Sequence, residues 1–126
     1  MSVPKGEKNR DKIELGIKGE CLAEEYLKDR GYEIVSRNER VGHSDIDILA
    51  REGEVLVFVE VRTKSDGDRG MPEETLTERK LIRMKKTAEL YIAFHRYQGA
   101  ARMDGICLIL NKENEIHHFK HYRGIG

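Results

Sequence analysis

The segment from Val55 to Arg62 reads VLVFVEVR, and it constrains the fold more than any other part of the chain. Five apolar residues follow one another before Glu60 and Arg62 introduce charge. A strand with one buried face alternates apolar and polar residues, whereas a nearly continuous apolar run is typical of a strand buried on both faces. The segment therefore predicts a central strand in a covered sheet.

The periodicity of the remaining chain predicts the layers around this strand. Helical spacing predicts one helix over about 13–30, ending at Gly31, and a second from about 73 or 77 to 97. Apolar or alternating segments predict strands at 32–40, 45–50, 55–62, 102–110 and 115–122. The predicted fold is α/β, a three-layer sandwich of order αβββαββ around a central mixed sheet.

Length and composition indicate one domain. The chain has 126 residues; the polar segment 1–12 is predicted to be flexible, and 13–126 to be the single folded domain. No apolar run approaches the ~20 residues of a membrane-spanning helix, and the charged start lacks the apolar middle of a signal peptide. We expect a cytoplasmic protein with no membrane partner, in which Cys21 and Cys107 are free thiols.

An acidic residue of the first helix lies on its small-residue stripe. Gly16, Gly19, Glu20, Ala23 and Leu27 recur at spacings of three and four, so they share one helix face. The small residues predict close packing against the sheet. Glu20 would then point at or beside the core, where a carboxylate requires a cation or hydrogen-bond donors.

The predicted hairpin of the second and third strands brings further acids together. Alternation places Asp45 and Asp47 on one face of the second strand, and Glu60 and Arg62 on one face of the third. A two-residue turn at Glu52-Gly53 would pair Asp45 with Glu60, with Asp47 diagonal to Glu60 at roughly 7–8 Å. A register slip of two residues would place Asp47 directly opposite Glu60 and keep the cluster.

Converging acids repel one another unless a positive charge neutralises them. Hard oxygen ligands in an open acidic site suit Mg²⁺ or Mn²⁺. Arg62 at the rim would then offer charge to a phosphate. The alternative is that these acids form ordinary ion pairs at the end of the sheet, which is the stronger interpretation for Asp45 taken alone.

Four segments resemble the bacterial YraN-like family of predicted endonucleases. They occur in the family's order and read GIKGECLAEEYLKDRGYEIVSRNER, SDIDILA, EVLVFVEVRTK and GMPEETLTERK. The resemblance extends over about 15–110. It implies a restriction-endonuclease-like fold, related to the archaeal Holliday-junction resolvases.

The resemblance also implies a catalytic set. Glu20 matches the family's first-helix acid, Asp47 the aspartate of its Gly-Glu-Ile-Asp segment, and Glu60 the acid of its Glu-Val-Lys segment. Asp47 and Glu60, with the Val61 carbonyl, would hold the metal, and Lys80 matches a basic position that faces the site. The implied catalytic residues are therefore Glu20, Asp47, Glu60, Arg62, Lys64 and Lys80.

The chain departs from the family pattern beside Glu60. The family's Glu-Val-Lys-Thr-Arg is Glu60-Val61-Arg62-Thr63-Lys64 here, so lysine and arginine are exchanged. Arginine is always protonated and cannot act as a general base, so Arg62 is expected to stabilise charge. Lys64 lies on the same strand face two residues further on, and is the second candidate. The family's Gly-Glu before Ile-Asp is Ser44-Asp45 here.

The implied activity is metal-dependent hydrolysis of DNA phosphodiester bonds in branched or single-stranded intermediates of repair or recombination. Junction resolvases cut two strands symmetrically, so the resemblance leaves a homodimer open. The alternative is a nuclease-fold module that binds nucleic acid or a protein without cutting. The exchange at Arg62 and the net charge of zero favour this alternative.

Local charge favours a nucleic-acid partner in spite of the neutral total. The run RKLIRMKK in the second helix has five cations and no acid, and it would hold the phosphate backbone without reading bases. Its basic residues are Arg79, Lys80, Arg83, Lys85 and Lys86. A solvated helix face is the alternative interpretation of this run.

Weaker candidates complete the set. His117 and His118 are sequence neighbours whose side chains should alternate between sheet faces, so a metal site formed by them with His121 is disfavoured. His43 is a candidate proton shuttle or else a turn residue. Asp104 is expected to cap a strand or to pair with Arg102.

Overall fold

The computed structural model describes residues 5–126, with side chains from Asp11 onward. The elements are α1 (Lys5–Asp29), β1 (Glu33–Val41), β2 (Ser44–Glu52), β3 (Val55–Ser65), a 3₁₀ turn (Pro72–Thr75), α2 (Glu78–Phe94), β4 (Ala101–Leu110) and β5 (Ile116–Tyr122). The predicted α/β class, with two helices and a five-stranded mixed sheet, is confirmed.

The sheet has the order β1-β2-β3-β4-β5, and β3 lies at its centre. Neighbouring strands are antiparallel except β3 and β4, which are parallel. On one face of β3, Val57, Val59 and Val61 pack in a core cluster with residues of α1. On the other face, Leu56 and Phe58 pack in a second cluster with residues of α2. The nearly continuous apolar run thus correctly predicted a central strand with both faces covered.

The first helix is longer than predicted. It begins at Lys5 rather than near residue 13. Of the predicted flexible segment 1–12, residues 1–4 lie outside the described residues, and 5–12 belong to α1. Polarity alone does not end a helix, because glutamate, lysine and arginine have high helix propensity. No helix in the described part of the chain is long and apolar enough to span a membrane.

The turn between β2 and β3 lies one residue later than predicted. Gly53 and Glu54 form it, Glu52 pairs with Val55, and Gly53 has a φ of 60°. Glycine adopts this left-handed conformation without steric cost, so it takes a position inside the turn.

The predicted pairing of Asp45 with Glu60 is therefore wrong. The recorded β2–β3 ladder ends with Ile48 opposite Val59, and one further step in the same register places Asp47 opposite Glu60. The observed register thus differs from the predicted one by two residues, since the partner of Glu60 is Asp47 instead of Asp45. It leaves every side chain on its predicted face, because side chains alternate with a period of two.

Helix α1 approaches the centre of the sheet closely at Gly19. A Cβ atom at Gly19 would collide with the Thr63 hydroxyl on β3. Gly16 has no such neighbour, since nothing lies within 4 Å of a Cβ placed there. Gly19 therefore fulfils the predicted close packing, as does Ala23, which is fully buried in the core, whereas Gly16 does not. Gly19 brings Glu20, the next residue, against β3.

A buried ionic network joins β4, β5 and α1. Asp104 is 0% exposed and accepts two hydrogen bonds from Arg102, at 2.8 and 3.1 Å. His121 Nε2 lies 2.8 Å from the same carboxylate, and its Nδ1 lies 3.0 Å from the Tyr26 hydroxyl. The Gly124 N–H also donates to Asp104, at 3.1 Å. The expected pairing of Asp104 with Arg102 is confirmed.

The three histidines of β5 have separate partners. His117 lies 3.6 Å from Asp66, and His118 lies 2.8 Å from Glu73, whereas His121 belongs to the Asp104 network. The three side chains therefore do not converge on one point. Cys21 and Cys107 are both free thiols, as predicted.

The contact at Gly19 generates a stability prediction. Gly19→Ala should lower the free energy of unfolding by roughly 1–3 kcal/mol, because the added methyl group forces α1 away from Thr63. The matched variant Gly16→Ala should raise it by about 0.5–1 kcal/mol, because alanine favours the helix and meets no obstacle. Urea denaturation measures both, and equal effects would contradict the close packing.

The Asp104 network predicts a pH dependence. Burial would raise the pKa of Asp104, but hydrogen bonds from His121, Arg102 and Gly124 lower it to about 2, below the ordinary value of 3.8. The carboxylate therefore stabilises the fold above about pH 4, and this contribution is lost as the pH falls towards 2. Asp104→Asn should destabilise the protein by about 3 kcal/mol at pH 7.

The free energy of unfolding, measured between pH 7 and pH 2, tests this prediction. The difference in the free energy of unfolding between the wild type and Asp104→Asn should become smaller as the pH falls. A constant difference between the two proteins across this range would show that Asp104 does not provide the acid-sensitive stabilisation.

Candidate active site

A cavity of about 380 Å³ lies where the β2–β3 ladder ends. Its lining includes side chains from β2, β3, α1 and α2. Five of the six predicted catalytic residues line it: Glu20, Asp47, Glu60, Arg62 and Lys80. The acids predicted from strand alternation and helix spacing therefore meet at one place.

Asp47 occupies the position at which β2 separates from β3. Its Oδ2 atom accepts a hydrogen bond from the Val61 N–H at 2.9 Å. The carboxylate thus takes the place of a backbone acceptor beyond the last recorded pair of the ladder. The N–H and C=O of an extended residue lie on the same side of its strand, so the Val61 carbonyl faces the Asp47 side as well.

The surroundings of Asp47 disfavour its negative charge. Burial is the main cause, and the charges of Glu60 and Glu20 add to it, whereas the Val61 N–H and Lys80 act in the opposite direction. Together they raise the pKa of Asp47 to about 7 from an ordinary value of 3.8. Among the described residues, no cation lies within ion-pair distance of Asp47, so its charge is uncompensated.

Glu60 is buried and neutralised by two cations. The residue is only 5% exposed, yet its Oε2 atom lies 3.2 Å from Arg62 Nη1 and 3.3 Å from Lys80 Nζ. A carboxylate within a buried strand requires such partners. The Thr77 hydroxyl accepts a hydrogen bond from the Lys80 N–H, which begins α2 and places Lys80 in its first turn.

Thr75 in the 3₁₀ turn holds Arg62 in place. Arg62 Nε donates to the Thr75 hydroxyl at 2.7 Å, and that hydroxyl donates to the Pro72 carbonyl at 2.6 Å. The guanidinium is thus held between Thr75 and Glu60. Sequence reasoning missed Thr75, because only the tertiary fold brings the turn residues GMPEET beside β3.

Glu20 has the cationic partner that its position on the helix requires. Arg37 Nη2 on β1 lies 3.4 Å from Glu20 Oε1, and the Glu20 side chain is 16% exposed. Sequence reasoning also missed Arg37. No local pattern in the predicted strand at 32–40 indicates that α1 packs beside Arg37.

Lys64 does not line this cavity. Its Nζ atom donates to the Arg69 carbonyl at 2.6 Å, in the loop that follows β3. It has the expected strand parity, but it lies two residues further along β3 than Arg62.

The basic run of α2 is divided between two environments. Lys80, which is partly buried, and Arg83, which is exposed, line the cavity, whereas the exposed Arg79, Lys85 and Lys86 do not. Helical periodicity separates neighbouring residues by about 100°, so one run of cations cannot face one site. Those three exposed residues remain predicted contacts to a phosphate backbone.

Two further predicted candidates lie at the cavity rim. Asp45 and His43 line the cavity but are exposed residues. Asp45 pairs with Arg40, which is also exposed, at 3.5 Å. Asp45 is therefore an ordinary surface ion pair, as the alternative interpretation held.

The donor set suits a hard divalent cation. In the described part of the chain, no group of three or more His, Cys, Asp or Glu side chains surrounds one point. The candidate ligands are therefore two carboxylates, Asp47 and Glu60, and the Val61 carbonyl. Mg²⁺ binds well to one or two carboxylates and keeps several waters. The uncompensated charge of Asp47 provides the electrostatic reason for a cation there.

The raised pKa of Asp47 predicts the direction of a pH effect in metal-free buffer. Because the folded protein holds this proton more tightly than the unfolded chain, wild-type stability should fall between about pH 4 and pH 7. Asp47→Asn should therefore be more stable than the wild type at pH 8, by roughly 1–4 kcal/mol. The matched variant Asp45→Asn, at the exposed pair, should change little.

Urea denaturation at pH 5 and pH 8 in the presence of a chelator measures this effect. If Asp47→Asn and the wild type have the same free energy of unfolding at both pH values, the folded protein does not destabilise the charged form of the Asp47 carboxylate.

The residues of the cavity fall inside a region shared with other proteins. The model of a family described as "Uncharacterised protein family UPF0102" matches residues 19–108, which include Glu20, Asp47, Glu60 and Lys80. A UPF0102 protein of Dehalococcoides mccartyi is 47% identical over 100 residues, 79% of this chain and 83% of that protein. A UPF0102 protein of Dictyoglomus turgidum is 38% identical over 104 residues, which are 82% of this chain and 88% of that protein. A UPF0102 protein of Carboxydothermus hydrogenoformans is 49% identical over 79 residues, which are 63% of this chain and 67% of that protein. The chain therefore belongs to the UPF0102 family, the YraN-like group that its sequence segments resemble.

Proposed function

We propose that this protein is a Mg²⁺- or Mn²⁺-dependent endonuclease that hydrolyses phosphodiester bonds in DNA. The observation that carries the proposal is the Asp47 carboxylate, which is held by the Val61 N–H beside the buried Glu60 and has no described cationic partner. Structural ion pairs would compensate both acids, whereas here one acid remains to be neutralised from outside. The position of the two acids, where β2 separates from the central strand, also agrees with the restriction-endonuclease-like fold that the family resemblance implies.

Arg62 and Lys80 would bind the phosphate. Both now neutralise Glu60, at 3.2 and 3.3 Å. If Asp47 and Glu60 held a divalent cation, Arg62 and Lys80 would no longer be needed to compensate Glu60. The two side chains could then donate hydrogen bonds to the non-bridging oxygens of a phosphodiester. The Thr75 hydroxyl holds the Arg62 guanidinium at the cavity.

The reaction breaks one phosphorus–oxygen ester bond as a water oxygen bonds to phosphorus, and the leaving oxygen takes up a proton. A bound Mg²⁺ would supply Lewis acidity at the phosphate and lower the pKa of a water molecule. Arg62 remains protonated throughout, so it stabilises the developing negative charge and removes no proton. Glu20, paired with Arg37, adds negative potential that favours cation binding at Asp47.

Cleavage assays test the proposal directly. Wild-type protein should cut labelled branched or single-stranded DNA in Mg²⁺ or Mn²⁺, and chelation should abolish the activity. Asp47→Asn and Glu60→Gln should each lower kcat by about 10²–10³-fold, because each removes a charge that holds the cation. Asp45→Asn is the matched control, since it removes an acid from the cavity rim.

Two outcomes would refute the enzyme. One is the absence of cleavage on branched, nicked and single-stranded DNA and on RNA in either metal. The other is equal cleavage by Asp47→Asn, which would indicate a contaminating nuclease.

The second candidate is a module of the same fold that binds nucleic acid or a protein without cutting. The observation that favours it is the double neutralisation of Glu60, together with arginine at the position where the family has lysine. In this case binding would be independent of metal and would survive Asp47→Ala, but it would weaken when Lys80 and Arg83 are replaced. If the wild type does not cleave, the Arg62→Lys variant separates the candidates. A gain of cleavage by this variant would indicate a nuclease whose catalytic site is damaged by the arginine. Persistent inactivity of the variant would indicate a binding module.

A further inference from the structure

A second cavity, of about 480 Å³, adjoins the cavity of Glu20, Asp47 and Glu60, which we call the acidic cavity. The two share Val61 and Arg62 in their linings. The acidic cavity continues towards α2, whereas the second one is formed by α1, the end of β3 and the following loop. We call it the α1 groove and define it by Lys12, Lys64 and Arg69, with Arg62 at its junction with the acidic cavity.

The lining of the α1 groove is predominantly basic. Its charged residues are Lys12, Arg62, Lys64, Asp68 and Arg69. Because Arg62 is paired with Glu60, three cations and one acid remain. Asp68 accepts a hydrogen bond from the Ser65 N–H at 3.3 Å, within its own loop. Among the described residues, no carboxylate lies within ion-pair distance of Lys64 or Arg69, since Lys64 contacts only a carbonyl. In a chain of zero net charge, such an excess marks a place that attracts anions.

Arg62 links the groove to the reacting centre. It contacts Glu60 on one side and the Thr75 hydroxyl, which lines the groove, on the other. A strand whose scissile phosphate lies over Asp47 and Glu60 would place a neighbouring stretch of its backbone in the groove. Lysine and arginine bind phosphates without reading base sequence, as a backbone channel requires.

We propose that the α1 groove binds the sugar-phosphate backbone of a single nucleic-acid strand on one side of the scissile bond. The inference rests on the proposed function. It assigns to Lys64 a role in substrate binding rather than in catalysis, and it adds Arg69 and Lys12 as contacts. Sequence reasoning gave Lys64 a catalytic role because strand parity places it on the Arg62 face.

Binding to a catalytically inactive protein tests the groove apart from the chemistry. In an Asp47→Asn background, we would measure the affinity for a labelled single strand of about 15 nucleotides as a function of salt concentration. Lys64→Gln combined with Arg69→Gln should weaken binding about tenfold and reduce the salt slope by roughly 1.4, for two lost phosphate contacts. Arg69→Gln alone, at an exposed residue, should give about half the change in slope.

The matched control is Lys28→Gln combined with Arg30→Gln. It also removes one lysine and one arginine, but from exposed positions at and just beyond the opposite end of α1. Lys28 lies roughly 24 Å from Lys12 by helical rise. This control should keep nearly the full salt slope. Urea denaturation of each variant shows whether the fold is retained.

The outcomes separate the groove from the proposed activity. If the wild type cleaves DNA but the groove variants bind with unchanged affinity and slope, the groove proposal is wrong and the endonuclease stands. If the control loses as much affinity as the groove variants, only general charge matters and the groove is likewise rejected. If the wild type neither binds nor cleaves any strand, both proposals fail.

Discussion

The structure depends on β3 being buried on both faces and carrying an acid, Glu60, at its middle. Five apolar residues fill the two core clusters, and Glu60 follows them with only 5% of its surface exposed. A carboxylate in such a place requires compensation, and the fold supplies it with Arg62 and Lys80. The Thr77 cap that begins α2 and the Thr75 contact to Arg62 both support this neutralisation. The site is therefore a consequence of how the central strand is covered.

Asp47 carries the uncompensated negative charge of the site. Its carboxylate has a good hydrogen-bond donor in the Val61 N–H, but the positive charges nearby belong to Glu60. Burial and two acidic neighbours raise its pKa, so the metal-free protein stores electrostatic strain at this point. A divalent cation would relieve that strain, because it would interact with both carboxylates at once. This is the electrostatic basis on which we propose a cation site between them.

Alternation and helix spacing predicted the acidic cluster correctly, and the reason is physical. The turn at Gly53 lies one residue later than expected, yet this error shifted the pairing by two residues and left Asp47 and Glu60 on one face. Arg37 and Thr75 could not be found in this way. They reach the site only because α1 crosses β1 and the 3₁₀ turn lies beside β3, arrangements that local patterns do not encode. Lys64 shows the limit of the alternation argument. It lies on the same strand face as Arg62, but it is too far along β3 to line the cavity.

Anomalous diffraction from a crystal soaked in Mn²⁺ tests the central claim most directly. The account predicts a peak within coordination distance of the Asp47 and Glu60 carboxylates and the Val61 carbonyl, with Lys80 or Arg62 withdrawn from Glu60 Oε2. A crystal of Asp47→Asn soaked in the same way should show no peak. An empty site in the wild type, with both basic side chains still paired to Glu60, would contradict the account and leave the acids as a structural cluster.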